Sequence, residues 1–117
     1  MHWRKLRVWE RSHALVLEVY RLTAKFPKSE TYSLVDQLKR AAYSVPANIV
    51  EGQSRNTTKE YLAFLYIARG SLEELRYFLL LSNELSLLEE ENYTRIEKEC
   101  GEISLMLNAL IKSLKSI

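Results

Sequence analysis

Apolar residues recur every three or four positions along most of the chain, and three short breaks divide the pattern into four segments. The spacing predicts helices over about residues 8–25, 32–52, 57–85 and 90–117. Pro27 ends the first segment, because the residue before a proline is driven out of the helical region. Thr57 and Glu60 have the spacing of a capping box at the start of the third.

The third and fourth segments carry the longest apolar seams. In the third, the predicted seam is Tyr61, Phe64, Ala68, Ser71, Leu75, Phe78, Ser82 and Leu85. In the fourth, it is Tyr93, Ile96, Cys100, Ile103, Leu107, Leu110, Leu114 and Ile117. Two long seams and three short connections predict an all-α fold, an antiparallel up-down four-helix bundle in which residues 1–117 form a single domain.

The stretch RAAYSVPANIVEG, residues 40–52, places a proline inside the second predicted helix. Pro46 cannot donate a hydrogen bond to the carbonyl of Ala42, and its ring crowds that turn. The second helix is therefore predicted to be kinked at Pro46. Gly52 is predicted to cap the C-terminus of the helix, because glycine tolerates positive φ.

Two polar residues follow the proline. Asn48 and Glu51 lie about one turn apart on the same face of the helix. They are expected to bind backbone groups freed by the kink, or to pair with Arg40 or Arg55. The preferred interpretation is a bent helix with a polar clasp, and the alternative is a ligand pocket at the kink.

The third helix has more apolar residues than one seam requires. A helix that is apolar on more than one face is buried on more than one side. In a bundle of this size, the second partner is predicted to be another copy of the chain, and scattered exposed apolar residues are the alternative. The candidate interface residues are Leu62, Tyr66, Ile67, Tyr77, Leu80 and Leu81.

The composition offers little for catalysis. The chain has one cysteine and two histidines, which excludes a disulfide framework and the usual zinc ligand sets. Cys100 is predicted to be a core thiol, His2 a loosely held terminal residue and His13 a surface residue. No catalytic residue, metal or cofactor is predicted. The N-terminus has no secretory signal, no apolar run is long enough to span a membrane, and the expected location is the cytoplasm.

The formal net charge is only +2, but it is unevenly distributed. Lys and Arg outnumber Asp and Glu by 11 to 6 over residues 1–60, and are outnumbered by 9 to 6 over residues 61–117. Trp3 and Trp9 lie among the first basic residues, and such mixtures can hold phosphates and stack bases. Trp9 fits the core stripe of the first helix equally well. A solvated charged face is the alternative. The candidate nucleic-acid-binding residues are Arg4, Lys5, Arg7, Arg11, Lys39, Arg40, Arg55 and Lys59.

Several motifs together carry a family resemblance. They are LRVWE at 6–10, VYRLT at 19–23, FPKSE at 26–30, QLKRAAYSVPANIVEG at 37–52, KEYLAFLYIARGSLEEL at 59–75 and LNALIKSL at 107–114. The chain resembles the bacterial four-helix-bundle proteins encoded within intervening sequences of 23S ribosomal RNA genes. The most specific of these motifs is the one at 37–52, and the resemblance covers nearly the whole chain.

The resemblance implies a four-helix bundle that assembles into a ring of five subunits and has no established enzymatic activity. The location of the family's genes, and its similarity to the accessory protein of diversity-generating retroelements, imply nucleic-acid binding. The leading hypothesis is therefore a non-enzymatic homopentamer that binds RNA or DNA through phosphate contacts. The alternative is a structural or protein-interaction scaffold, with a protein partner and no direct nucleic-acid binding.

Overall fold

Four α-helices make up most of the structure, a computed structural model that describes residues 2–117. The helices are α1 (Arg7–Thr23), α2 (Leu34–Gln53), α3 (Thr58–Glu84) and α4 (Glu90–Lys115). Short 3-10 helices at Trp3–Lys5 and Lys28–Glu30 precede α1 and α2. Residues 2–117 include no strand. The prediction of an all-α four-helix bundle is confirmed.

The helix ends follow the local chemistry of the sequence. Thr57 caps α3: its Oγ1 accepts a hydrogen bond from the backbone N–H of Glu60 at 3.1 Å and donates to the Glu60 carboxylate at 3.0 Å. At the turn before α4, Ser86 has a φ of 62°. This is the left-handed region, which costs a residue with a side chain about 1–2 kcal/mol.

Each helix packs against two others. Helix α1 contacts α2 and α4, and α3 contacts the same two helices. Between α1 and α4 the contacts run in opposite chain directions: Arg11 binds Glu99 and Glu102, whereas Glu18, further along α1, binds Arg95. Two pairs show the same reversed order between α3 and α4: Arg69–Asn108 and Arg76–Glu97. The up-down course of the whole bundle and the kink in α2 stay predictions.

The core lies where the four apolar faces meet. The apolar stripe that the three- and four-residue spacing predicts for α2 is buried throughout: Leu34, Leu38, Ala41, Val45 and Ile49. The seam of α4 is buried at Ile96, Cys100, Ile103 and Leu107. The seam predicted for α3 was partly wrong. Its buried positions are Leu65, Ala68, Leu72, Leu75, Leu79 and Ser82. The reason is that α3 packs on both α2 and α4, so its buried face is centred between them rather than on the flank that faces α2.

The prediction that Gly52 caps α2 was wrong. The helix continues to Gln53 with Ser54 as its C-cap, and no glycine within residues 2–117 has a positive φ. Gly52 instead allows a close helix contact. A Cβ at this position would lie 2.9 Å from Cβ of Phe64 and 3.2 Å from the backbone oxygen of Tyr61. The backbones of α2 and α3 approach closely here because residue 52 has no side chain.

Of the two polar residues after Pro46, only Asn48 takes part in a polar cluster between α2 and α3. Nδ2 of Asn48 donates to the backbone oxygen of Ser44 at 2.7 Å and to its Oγ at 3.0 Å. That Oγ also hydrogen-bonds Oγ of Ser71 on α3 at 2.8 Å. Glu51 points elsewhere and pairs with Arg55 at 2.6 Å. The polar link between α2 and α3 is therefore the Ser44–Ser71 hydrogen bond, which Asn48 supports from within α2, and Glu51 takes no part in it.

Candidate nucleic-acid interface

The cations predicted near the start of α1 have different surroundings. Arg4, Lys5 and Arg7 are exposed, and within residues 2–117 none of the three forms an ion pair. Arg11 is held between two carboxylates, with its Nε 2.7 Å from Oε1 of Glu99 and its Nη2 2.6 Å from Oε1 of Glu102. These hydrogen bonds raise the pKa of the Arg11 guanidinium. Its charge is neutralised within the bundle, so Arg11 is a poor phosphate ligand.

The predicted cations of α2 also have partners. Nζ of Lys39 lies 4.6 Å from the ring centroid of Tyr20, which is near the end of α1 and far from Arg7. Arg40 donates to Gln37 at 2.5 Å and lies 4.0 Å from Glu74. These two residues do not join the cations at the start of α1.

Arg55, just after α2, lies at the same end of the bundle as the first residues of α1. It pairs with Glu51, and its guanidinium lies over the ring of Phe64 at 4.7 Å. The 3-10 helix at Trp3–Lys5 contacts α2. Arg55 therefore belongs to this end of the molecule, but its charge is compensated.

Three lysines also lie at this end: Lys59, which was among the predicted binding residues, and Lys112 and Lys115, which were not. Lys59 and Lys115 line one groove of about 540 Å³ between the start of α3 and the end of α4. Lys112 is one turn before Lys115, and both are exposed. In the sequence, these two lysines indicate only a favourable charge at the C-terminus of the fourth helix. We call the exposed cations at this end that form no ion pair within residues 2–117 the basic end: Arg4, Lys5, Arg7, Lys59, Lys112 and Lys115.

Four aromatic rings form a continuous series beside the basic end. The ring centroids of His2 and Trp3 are 5.0 Å apart, those of Trp3 and Trp9 are 4.8 Å apart, and those of Trp9 and His13 are 5.1 Å apart. Nδ1 of His2 also accepts a hydrogen bond from the backbone N–H of Arg4 at 3.2 Å. We call these four residues the aromatic ladder.

Comparison with known proteins agrees with the resemblance noted in the sequence. The model of the family described as 23S rRNA-intervening sequence protein matches residues 4–109. The chain belongs to this family. No curated protein sequence matches it. A crystal structure of a protein of unknown function from the S23 ribosomal protein family of Bacteroides thetaiotaomicron is similar in fold, with a TM-score of 0.81 and 23% sequence identity over 90% of this chain and 98% of that one.

In this member of the 23S rRNA-intervening sequence family, the residues predicted to mediate self-association fall into two groups. Tyr66, Ile67, Tyr77 and Leu80 are 40%, 52%, 58% and 37% exposed. Leu62 and Leu81, by contrast, pack partly against the chain's own core. The first four are therefore apolar side chains of α3 that the rest of residues 2–117 leaves exposed, and the other two add less to the exposed apolar surface of α3.

Reactive and metal-binding chemistry has little support in the described residues. Burial raises the pKa of the Cys100 thiol to about 12, so the thiol is protonated at neutral pH. No group of three or more His, Cys, Asp or Glu side chains within residues 2–117 is arranged to hold a metal ion. Over the same residues, every helix is too short or too polar to cross a lipid bilayer.

Proposed function

We propose that this protein is a self-associating helical bundle that binds RNA or DNA through phosphate contacts at its basic end. The observation that carries the proposal is the distribution of uncompensated charge. Arg11 and Arg55 are neutralised by glutamates, whereas the cations of the basic end are exposed and form no ion pair within residues 2–117.

Two carboxylates at this end are engaged elsewhere. Glu51 is paired with Arg55, and Glu60 is bound to the hydroxyl of Thr57 in the N-cap of α3. Glu10, in the first turn of α1, is the remaining carboxylate near Arg7 in sequence. Cations without carboxylate partners keep a full charge to offer to phosphates, and displacing their counterions drives association.

Self-association would turn this modest patch into a larger one. The exposed apolar residues on α3 support assembly, and the family resemblance leads us to propose a ring of five subunits. Each subunit then contributes one basic end, and linked weak contacts raise avidity by roughly a hundredfold or more. The formal net charge of one chain is only +2, but all subunits of the ring then contact the same nucleic acid, so their charges act on it together.

A charge-matched pair of variants tests the proposed binding. Lys112→Gln with Lys115→Gln removes two charges from the basic end, and Lys25→Gln with Lys28→Gln removes two exposed charges near the end of α1. We expect the first variant to weaken binding of a labelled RNA by about tenfold at about 50 mM salt, and the second to leave it unchanged. Equal losses, or no binding by the parent protein, would overturn the proposal.

A light-scattering measurement tests the assembly separately. We expect a mass near five times the chain mass of 13.7 kDa at micromolar concentration, and a monomer mass would contradict it. Tyr77→Glu should reduce this mass, because it places a charge on the apolar surface of α3. Leu105→Glu is the matched control, since Leu105 is 73% exposed on α4.

The scaffold alternative is also favoured by a specific observation. Three of the eight cations predicted to bind nucleic acid, Arg11, Arg40 and Arg55, lie within 4.0 Å of a carboxylate. If the protein assembles normally and binds neither RNA nor DNA at about 50 mM salt, the apolar surface of α3 becomes the functional surface and the scaffold becomes the better account.

A further inference from the structure

Two of the four rings of the aromatic ladder, Trp3 and Trp9, have a structural role. Trp9 packs partly against the core, and Trp3 meets Trp9 edge to face at an interplanar angle of 61°. The contact between these two rings joins the first 3-10 helix to α1. The histidines extend the series beyond them, and both His2 and His13 are exposed.

The geometry at the two ends of the ladder is that of stacking. His13 lies parallel to Trp9, with an interplanar angle of 5°, and His2 lies on Trp3 at 28°. An aromatic ring stacked on one face presents its other face to whatever lies next to it. Both end residues of the ladder are exposed, so aromatic surface is accessible at each end.

We propose that the aromatic ladder is a stacking platform for unpaired bases, so that the preferred ligand is a single-stranded nucleic acid rather than a duplex. This inference rests on the proposed function and adds the class of ligand to it. In a duplex, the faces of the bases are covered by their neighbours, and only an unstacked base can place its ring on a protein side chain. Stacking of this kind tolerates any base sequence.

The charges around the ladder fit the same ligand. The guanidinium of Arg4 lies 5.1 Å from the Trp3 ring centroid, and the exposed Lys5 and Arg7 follow within four residues of Trp3. A base stacked on the ladder brings its phosphates among these cations. A positively charged track beside aromatic side chains is the arrangement with which proteins hold single strands.

Intrinsic fluorescence reports on the platform directly, because Trp3 and Trp9 are the only tryptophans in the chain. The full-length protein is titrated with a 12-nucleotide oligouridylate, a 12-nucleotide oligothymidylate and a 12-base-pair duplex. We expect both single strands to quench the fluorescence and to bind about tenfold tighter than the duplex. The two single strands separate RNA from DNA as the source of the base.

Ring substitutions separate stacking from charge. Trp3→Ala should weaken single-strand binding by about fivefold to a hundredfold, whereas Trp3→Phe, which keeps an aromatic face, should retain most of it. His13→Ala is a second test that does not depend on the first 3-10 helix, because His13 is an exposed residue within α1. It should weaken single-strand binding and leave duplex binding unchanged.

The outcomes distinguish this inference from the proposed function. Equal binding of single strands and duplex, or unchanged affinity in both Trp3→Ala and His13→Ala, overturns the platform and leaves phosphate binding in place. Absence of binding by all three oligonucleotides overturns both. Preference for single strands that depends on the two rings supports both.

Discussion

The close approach of α2 and α3 at Gly52 leads to a quantitative prediction. Replacing a glycine with alanine inside a helix stabilises it by about 1 kcal/mol, and Gly52 lies inside α2. At this position, however, the new Cβ would lie 2.9 Å from Cβ of Phe64, 3.0 Å from Cδ1 of Tyr61 and 3.2 Å from the Tyr61 backbone oxygen. These atoms belong to α3 or lie close to its backbone, so no side-chain rotation alone relieves the contact.

Overpacking of this kind costs about 1–3 kcal/mol. We therefore expect Gly52→Ala to lower the free energy of unfolding by about 1 kcal/mol after the gain in helix propensity is subtracted. Gly101→Ala is the matched control, because a Cβ there would meet no atom within 4 Å and Gly101 lies inside α4. It should raise the free energy of unfolding by about 0.5–1 kcal/mol.

Urea denaturation followed by circular dichroism, at one fixed protein concentration, measures both variants. A fixed concentration is needed because self-association would make stability depend on it. In thermal scans, each 1 kcal/mol corresponds to about 4 °C for a chain of this size. If Gly52→Ala were as stabilising as Gly101→Ala, the close approach of the two helices at this position would be refuted.

Three further predictions concern the folded bundle. Pro46→Ala should lower the melting temperature although it restores a backbone donor, because α2 would no longer match its partners, and an increase would show that packing does not require the bend. Ser86→Gly should raise the free energy of unfolding by about 1 kcal/mol by relieving the positive φ, and an unchanged value would contradict the strain. Cys100 should resist iodoacetamide at pH 8 until the protein is denatured, since its pKa is about 12, and rapid labelling of the native protein would show an accessible thiolate.

The helices could be predicted from the sequence because each has a strong local signal. Pro27 and the Thr57–Glu60 box mark two of the boundaries, and the observed ends of the four helices lie within about two residues of the predicted ones. The buried face of α3 was harder to predict. Its apolar residues fit more than one set of three- and four-residue spacings, and only the positions of α2 and α4 decide that Leu65, Leu72 and Leu79 are buried.

The candidate site depended on contacts between residues far apart in sequence. The pairing of Arg11 with Glu99 and Glu102 crosses about ninety positions, and no local pattern predicts it. The same is true of the groove that brings Lys59 close to Lys115. The Trp9–His13 stack, by contrast, has a local signal, because residues four apart in a helix are neighbours on its surface.

The salt dependence of binding tests the central claim, phosphate contacts at the basic end, most directly. For a single strand, the slope of log K against log salt concentration is about −0.7 for each phosphate neutralised. The account predicts that Lys59→Gln, Lys112→Gln and Lys115→Gln together make this slope shallower by about 2 per subunit engaged, while Lys25→Gln with Lys28→Gln leaves it unchanged. Identical slopes for the parent protein and the triple variant would show that nucleic acid, if bound, is held elsewhere on the molecule.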